Sequence, residues 1–173
     1  MSTLGLQIEP ARASDAAAVA QIHVDAWRAA YAGIVPDDYL AALSVERHSA
    51  MWREAIAQGS PELLVARTDA GLAGWVSFGP SRDEGAAPAT GEVWALYVAP
   101  AHWAAGGGHR LWQRARERLV QRGFTSAMLW VLGANARAIR FYEAAGFVAD
   151  ADSDKTFTLG SGEVCERRYR IGL

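Results

Sequence analysis

Three consecutive glycines, Gly106-Gly107-Gly108, stand ahead of a stretch in which Leu111, Ala115 and Leu119 recur at helical spacing. A glycine run at a helix start leaves backbone N–H groups unobstructed. Together with the helix dipole they attract a phosphate or pyrophosphate. Two familiar phosphate loops do not fit. A P-loop ends in Gly-Lys-Ser/Thr, whereas Gly108 is followed by His109. A dinucleotide fingerprint needs a third glycine in phase, and His109-Arg110-Leu111 has none. Trp27 and Tyr31 lie one helical turn apart and either wall a pocket or anchor a helix in the core. His23, His48 and His102 are scattered without metal-ligand spacing, so no metal is expected. The lone Cys165 cannot form an internal disulfide, and its place in a strand predicts a packed thiol.

These residues need elements to hold them. Residues 6–9 alternate weakly and predict a short edge strand. Ser14 as N-cap, with Asp15 in the first turn, starts a helix carrying Val19, Ile22, Ala26 and Ala30, which Gly33 and Pro36 end. Pro36-Asp37-Asp38 opens a second helical stretch that continues over 44–58. The period then changes to that of a hairpin, 63–68 and 72–78, followed by a loop over 79–91. In the strand 92–98, alternation puts Trp94, Leu96 and Val98 on one face and Val93, Ala95 and Tyr97 on the other. Both faces are apolar, which predicts a central strand covered on both sides. The loop over 100–108 leads to a helix ending near Arg122, with Gly123 at C′. A strand over 126–132, a helix over 135–145 capped by Asn135, a strand beginning at 147 and a last strand over 164–171 complete the chain. This is a mixed α/β order without repeating βαβ units, which disfavours a doubly wound dinucleotide fold.

A length of 173 residues favours one domain, 1–173. With 51% hydrophobic and 21% charged residues, wholesale disorder is excluded. A net charge of −2 provides no global basic field for nucleic acid. No apolar run approaches a membrane span, and Met1-Ser2-Thr3-Leu4 opens no basic leader segment. These readings predict a cytoplasmic protein without nucleic-acid or membrane partners. Of the seven tryptophans, Trp75, Trp94, Trp130 and Trp112 are expected mainly to pack and Trp52 to anchor the second helical stretch, while Trp27 and Trp103 stay open.

The strand, Pro100 and the glycine loop resemble the acetyl-CoA pyrophosphate loop of the GNAT superfamily of N-acetyltransferases, Arg/Gln-x-x-Gly-x-Gly/Ala, with Gly106 and Gly108 at the glycine positions. The first position, usually Arg or Gln, is Trp103. Further on, Asn135-Ala136-Arg137-Ala138-Ile139-Arg140-Phe141-Tyr142-Glu143-Ala144-Ala145-Gly146-Phe147 resembles the family pattern Asn-x-x-Ala-x-x-x-Tyr-x-x-x-Gly-Phe. The two motifs in this order extend the resemblance over 6–171. It implies an α/β fold of the α+β type: a mixed, mostly antiparallel central sheet flanked by helices, with strands 92–98 and 126–132 splayed to hold acetyl-CoA.

The resemblance also implies an activity, transfer of an acetyl group from acetyl-CoA to a primary amine of a small molecule by direct attack, and assigns residues to it. Tyr142 donates to the departing thiolate, against the alternative of a helix-face aromatic packing on Ile139. Glu92 acts as base, directly or through water, and contacts the acceptor; its alternative is a solvent-exposed strand end. Asn135 positions the cofactor, which is compatible with capping its helix. Backbone groups of Leu96 and Val98 pair with the pantetheine arm, and Trp103, Ala104, Ala105, Gly106, Gly107, Gly108 and His109 form the phosphate loop. Arg140 meets the cofactor's charged end; it and His109 are otherwise surface residues. Trp27 and Tyr31 belong to a Trp-x-x-x-Tyr-x-Gly-x-x-Pro segment, 27–36, similar to one in a branch that includes bacterial polyamine acetyltransferases, and line the acceptor pocket. Asp37, Asp38 and Glu92 are the acidic candidates for binding a polycation. Arg167, Arg168 and Arg170 face solvent or join a homodimer interface. A second function from another class is a GNAT-fold sensor or scaffold that binds CoA or acyl-CoA without turnover, a reading that Trp103 supports.

Overall fold

The computed structural model describes residues 5–173, so the leader reading at Met1-Ser2-Thr3-Leu4 lies outside the described residues. The elements are β1 (Gln7–Pro10), α1 (Ala16–Ala30), α2 (Asp37–Ala41), α3 (Val45–Gln58), β2 (Glu62–Thr68), β3 (Gly71–Pro80), β4 (Thr90–Val98), α4 (Gly107–Gln121), β5 (Ser126–Leu132), α5 (Ala136–Ala144), β6 (Val148–Ala149), β7 (Lys155–Leu159) and β8 (Gly162–Gly172). They form one sheet in the order β1-β2-β3-β4-β5-β8-β6, with β7 also paired to β8. Only the β4–β5 pair is parallel. The mixed, mostly antiparallel sheet expected from the sequence is therefore present, with β1 at an edge.

Each face of the sheet buries a helical layer. On one face Leu111, Trp112, Ala115 and Leu119 of α4 pack with Val76, Phe78, Leu129 and Tyr169, and α5 adds Ile139 and Phe141. On the other, Val19 and Ile22 of α1 and Trp52 of α3 pack with Val65 and Trp75. Trp75 is fully buried, and its indole N–H donates to the Val19 carbonyl at 3.0 Å, so its one polar atom is satisfied inside the core. A smaller cluster of Val35, Leu40, Leu132 and Val164 joins α2 to β5 and β8, and Trp27 and Tyr31 pack against it. Each fully buried aliphatic side chain contributes roughly 1.5–3 kcal/mol relative to exposure.

Three local readings are corrected. Ser14 does not cap α1: residues 13–15 form a short 3-10 turn, and the Asp15 carboxylate accepts from the Arg12 N–H at 2.8 Å and pairs with Arg67 at 2.9 Å. The second helical stretch is two helices, because Ser44 starts a new one by accepting from the Arg47 N–H. The faces of β4 are also not those of simple alternation. Ser77 pairs with Ala95 and Phe78 with Val93, which leaves Trp94 as an extra residue. Val93 thus packs in the same core as Leu96 and Val98, while Ala95 and Tyr97 pack in the opposite one. Such a β-bulge bends its strand and steepens the local twist.

Candidate active site

β4 and β5 pair at Thr90–Ser126, Gly91–Ala127 and Glu92–Met128, and not beyond. The bulge at Trp94 follows at once, and the strands diverge from there. A cavity of about 990 Å³ fills the opening. One end is bounded by the start of α4 and the other by α1, β7 and β8.

At the first end Gly106 caps α4 with φ +80°, a left-handed conformation that glycine adopts without a Cβ penalty. The first helical bond runs from the Arg110 N–H to the Gly106 carbonyl at 3.2 Å. The N–H groups of Gly107, Gly108 and His109 therefore precede the helical ladder, as the anion reading requires. A Cβ on Gly108 would lie 3.3 Å from the Phe141 ring, so the cradle depends on the absence of a side chain there. These features fit a pyrophosphate. Ala105 stands off the cavity wall, with its N–H donating to the His102 carbonyl at 3.4 Å. Trp103, Ala104, Gly106, Gly107, Gly108, His109 and Arg140 all reach the cavity wall. The Trp103 indole N–H donates to the Val98 carbonyl at 2.8 Å, and the Arg137 guanidinium lies 3.5 Å from the Trp103 ring centroid. A cation from α5 thus stands beside the position that usually carries Arg or Gln.

Where α5 begins, Asn135 is 7% exposed, and its side chain accepts from the Ala138 N–H at 3.2 Å, so the capping reading holds while the residue also lines the cavity. Tyr142 packs edge-on to Phe141 and Phe147 and borders the cavity. Burial, with a smaller contribution from Tyr31, raises its phenol above the ordinary tyrosine range, so it stays protonated near neutrality.

At the other end Trp27 and Tyr31 meet edge to face at 4.7 Å; they line the cavity and also pack on the small core under α2. Glu92 is not a solvent-exposed strand end. It is 1% exposed, and both its oxygens are engaged by Arg82, one by the backbone N–H at 2.8 Å and the other by the guanidinium at 2.6 Å. That geometry makes Glu92 the anchor of Arg82, whose guanidinium lies 4.3 Å from the Trp94 ring centroid. Trp94 and Trp130, expected mainly to pack, border the cavity instead. Trp130 donates to Asp83 at 3.0 Å and carries the Lys155 ammonium 3.8 Å from its ring centroid. Trp75, Trp112 and Trp52 pack as expected.

Sequence reasoning missed Arg82, Trp94, Trp130, Arg137 and Glu166 as cavity residues. Of these, only Arg137 lay within a quoted motif. Asp38 serves elsewhere, accepting from the Ser161 hydroxyl at 2.9 Å across the β7–β8 turn. Arg167 pairs with Asp154, while Arg168 and Arg170 converge on Asp150, so these arginines are engaged within the chain. Cys165 is exposed, not packed. Among the described residues, no group of three or more His, Cys, Asp or Glu side chains could hold a metal, and no helix is long and apolar enough to cross a membrane.

The family model described as acetyltransferase (GNAT) family matches residues 18–147. The chain belongs to that family, whose general activity is acetyl transfer. The uncharacterized N-acetyltransferase YuaI of Bacillus subtilis is 34% identical over 138 residues, covering 79% of this chain and 77% of the relative. Among solved structures, the ribosomal-protein-alanine N-acetyltransferase of Brucella melitensis superposes with a TM-score of 0.79 at 21% identity, over 97% of this chain and 100% of the other. The PaiA N-acetyltransferase of Thermoplasma acidophilum, in complex with coenzyme A, does so with a TM-score of 0.75 at 20% identity, over 95% and 99%.

Proposed function

We propose that the chain transfers an acetyl group from acetyl-CoA to a primary amine of a small molecule by direct attack within a ternary complex. The observation that carries this reading is one cavity that joins the glycine start of α4 to the Trp27–Tyr31 pocket, with the Tyr142 phenol on its wall. Gly106, Gly107, Gly108 and His109 hold the pyrophosphate through backbone N–H groups, and Arg137, Arg140 and His109 supply cationic or polar side chains beside it. Leu96 and Val98 pair with the pantetheine arm. The Val98 carbonyl has a second lone pair, so the Trp103 bond leaves it able to accept. When bound, acetyl-CoA supplies an activated thioester.

An aliphatic ammonium has a pKa near ~10 and must lose a proton before it can attack. Tyr142, protonated at neutral pH, donates to the departing thiolate. The aromatic walls exclude water that would otherwise compete for the acyl group. A thiol-release assay across polyamines, amino acids, aminoglycosides and peptide N-termini tests the reading. Acceptor-dependent release of CoA is expected. CoA binding without release on any amine would overturn it and favour the sensor or scaffold, the reading to which Trp103 at the loop's first position lends support.

A further inference from the structure

We infer that Glu166 is the carboxylate that receives the acceptor's ammonium and takes its proton, and that the acceptor is a singly charged amine on an apolar or aromatic stem. The inference rests on the transferase reading above and adds to it the base and the substrate class.

Glu166 lies on β8 opposite Leu132 of β5 and Lys155 of β7. Leu132 and Val164, in phase with it, pack with Trp27 and Tyr31, so this side of the sheet is the acceptor side. Glu166 is half-buried and lines the cavity. The neighbouring carboxylates are already occupied: Glu92 by Arg82, and Asp83 by Arg168 and Trp130. Among the described residues, Glu166 has neither an ion pair nor a side-chain hydrogen bond within the chain. The charged and titratable groups around it are Lys155 from β7, Arg82 and Asp83 from the β3–β4 connection, Glu92 from β4, Arg168 two residues along β8 and bonded to Asp83, and Tyr31 just past the end of α1. Glu92 and Asp83 are each spent on an arginine, and Lys155 rests on the Trp130 ring without an ion pair to Glu166 among the described residues, so the Glu166 carboxylate is open to a guest. Burial, the largest influence, raises its carboxyl above the ordinary range, which suits a proton acceptor.

The stem has apolar partners in Trp27, Trp130 and Phe157. A second positive charge on the guest would approach Lys155, which sits on the Trp130 ring without an ion-pair partner among the described residues. This disfavours polyamines. In the step itself, the ammonium gives one proton to Glu166, and the amine lone pair forms the C–N bond at the acetyl carbonyl. The C–S bond breaks, and the thiolate accepts a hydrogen bond and then a proton from Tyr142. The second amine proton leaves the product nitrogen to solvent, and Tyr142 is reprotonated from solvent.

The test uses phenethylamine and spermidine with the wild type, Glu166→Gln and Glu166→Asp. For phenethylamine, wild-type kcat/KM is expected to be level between pH 7 and 9. Glu166→Gln should be about 100-fold slower at pH 7 and gain tenfold per pH unit as free amine accumulates. Glu166→Asp should regain the level profile at reduced rate, which a merely structural role would not produce. Spermidine should be the poorer substrate by at least about tenfold. Equal profiles for wild type and Glu166→Gln would overturn the base assignment, and a preference for spermidine would overturn the substrate class. If the wild type releases no CoA with any amine, the transferase reading fails, and calorimetric titration of phenethylamine into the CoA complex still decides on Glu166. At least tenfold weaker binding to Glu166→Gln supports its contact with the ammonium, and equal binding overturns it.

Discussion

At the α4 end of the cavity the polar groups are mainly backbone N–H groups, those of Gly107, Gly108 and His109, which precede the first helical bond from Arg110 to Gly106. At the opposite end the polar groups are side chains: Arg82 locked on Glu92, Asp83 shared by Arg168 and Trp130, and Glu166, drawn from separate strands and a loop. A backbone cradle depends on local conformation and tolerates varied neighbours, whereas a side-chain cage depends on register between strands. On the proposed transferase reading, the first suits the cofactor and the second the acceptor. Substitutions should separate the two ends cleanly.

The largest effect is expected where the ends meet. Tyr142→Phe should lower kcat about 100-fold while leaving CoA affinity unchanged by calorimetry, and an unchanged kcat would remove the phenol from the acid role. Next, Gly108→Val should weaken CoA binding by roughly 10- to 100-fold, the equivalent of about 1–3 kcal/mol of overpacking against Phe141. If it changed the KM of the amine instead, the two ends would not be independent.

An acid-stability difference belongs to the Trp27 end. His23, stacked on His48 and packed against Trp27, Trp75 and Tyr97, is lowered to about 3 by burial and then by His48. Below the ordinary value of 6.5 the unfolded chain binds a proton that the folded chain refuses. Stability is therefore complete above pH 6.5 and falls as pH drops toward 3, by at most about 1.4 kcal/mol per pH unit from this group. Thermal melts of His23→Leu should lose that part of the slope, and an unaltered slope would assign acid sensitivity to the paired carboxylates. Smaller still, Arg137→Ala should weaken CoA binding several-fold and flatten its salt dependence without altering the amine KM.

The motifs legible in the sequence were the local ones. Gly106 and Gly108, the Asn135 cap and Tyr142 sit within contiguous stretches whose conformation their own residues dictate, and seven of the eight strands, all but β7, and the main helices are legible along the chain. The bulge at Trp94 was not legible, because it is a relation between β4 and β3, and no single-strand pattern contains it. The burial of Glu92 depended on Arg82 folding back from a loop that sequence reads only as irregular. Glu166 carried no signal at all: its importance arises from standing opposite Leu132 and Lys155 after the chain has crossed the sheet. Ser14 misled for a related reason, since the carboxylate next to it found Arg67 in β2.

The α2-to-β7–β8 contact has a consequence for how the molecule comes together. A Cβ on Gly160 would meet the Asp38 carboxylate at 2.8 Å, and one on Gly162 would meet Pro36 at 2.9 Å, so the turn between β7 and β8 is seated directly on the start of α2. The cavity end at Trp27 and Tyr31 is thus closed by a clasp between segments distant in sequence, whereas the glycine cradle and α5 lie close together along the chain. Each doubling of loop length adds only about 0.6 kcal/mol to closure, but the longer span still favours the cradle forming first, and pulsed hydrogen exchange should find the β7–β8 turn protected later than α4. Under that order the aromatic wall around Trp27 is expected to gain its cover from the β7–β8 turn last.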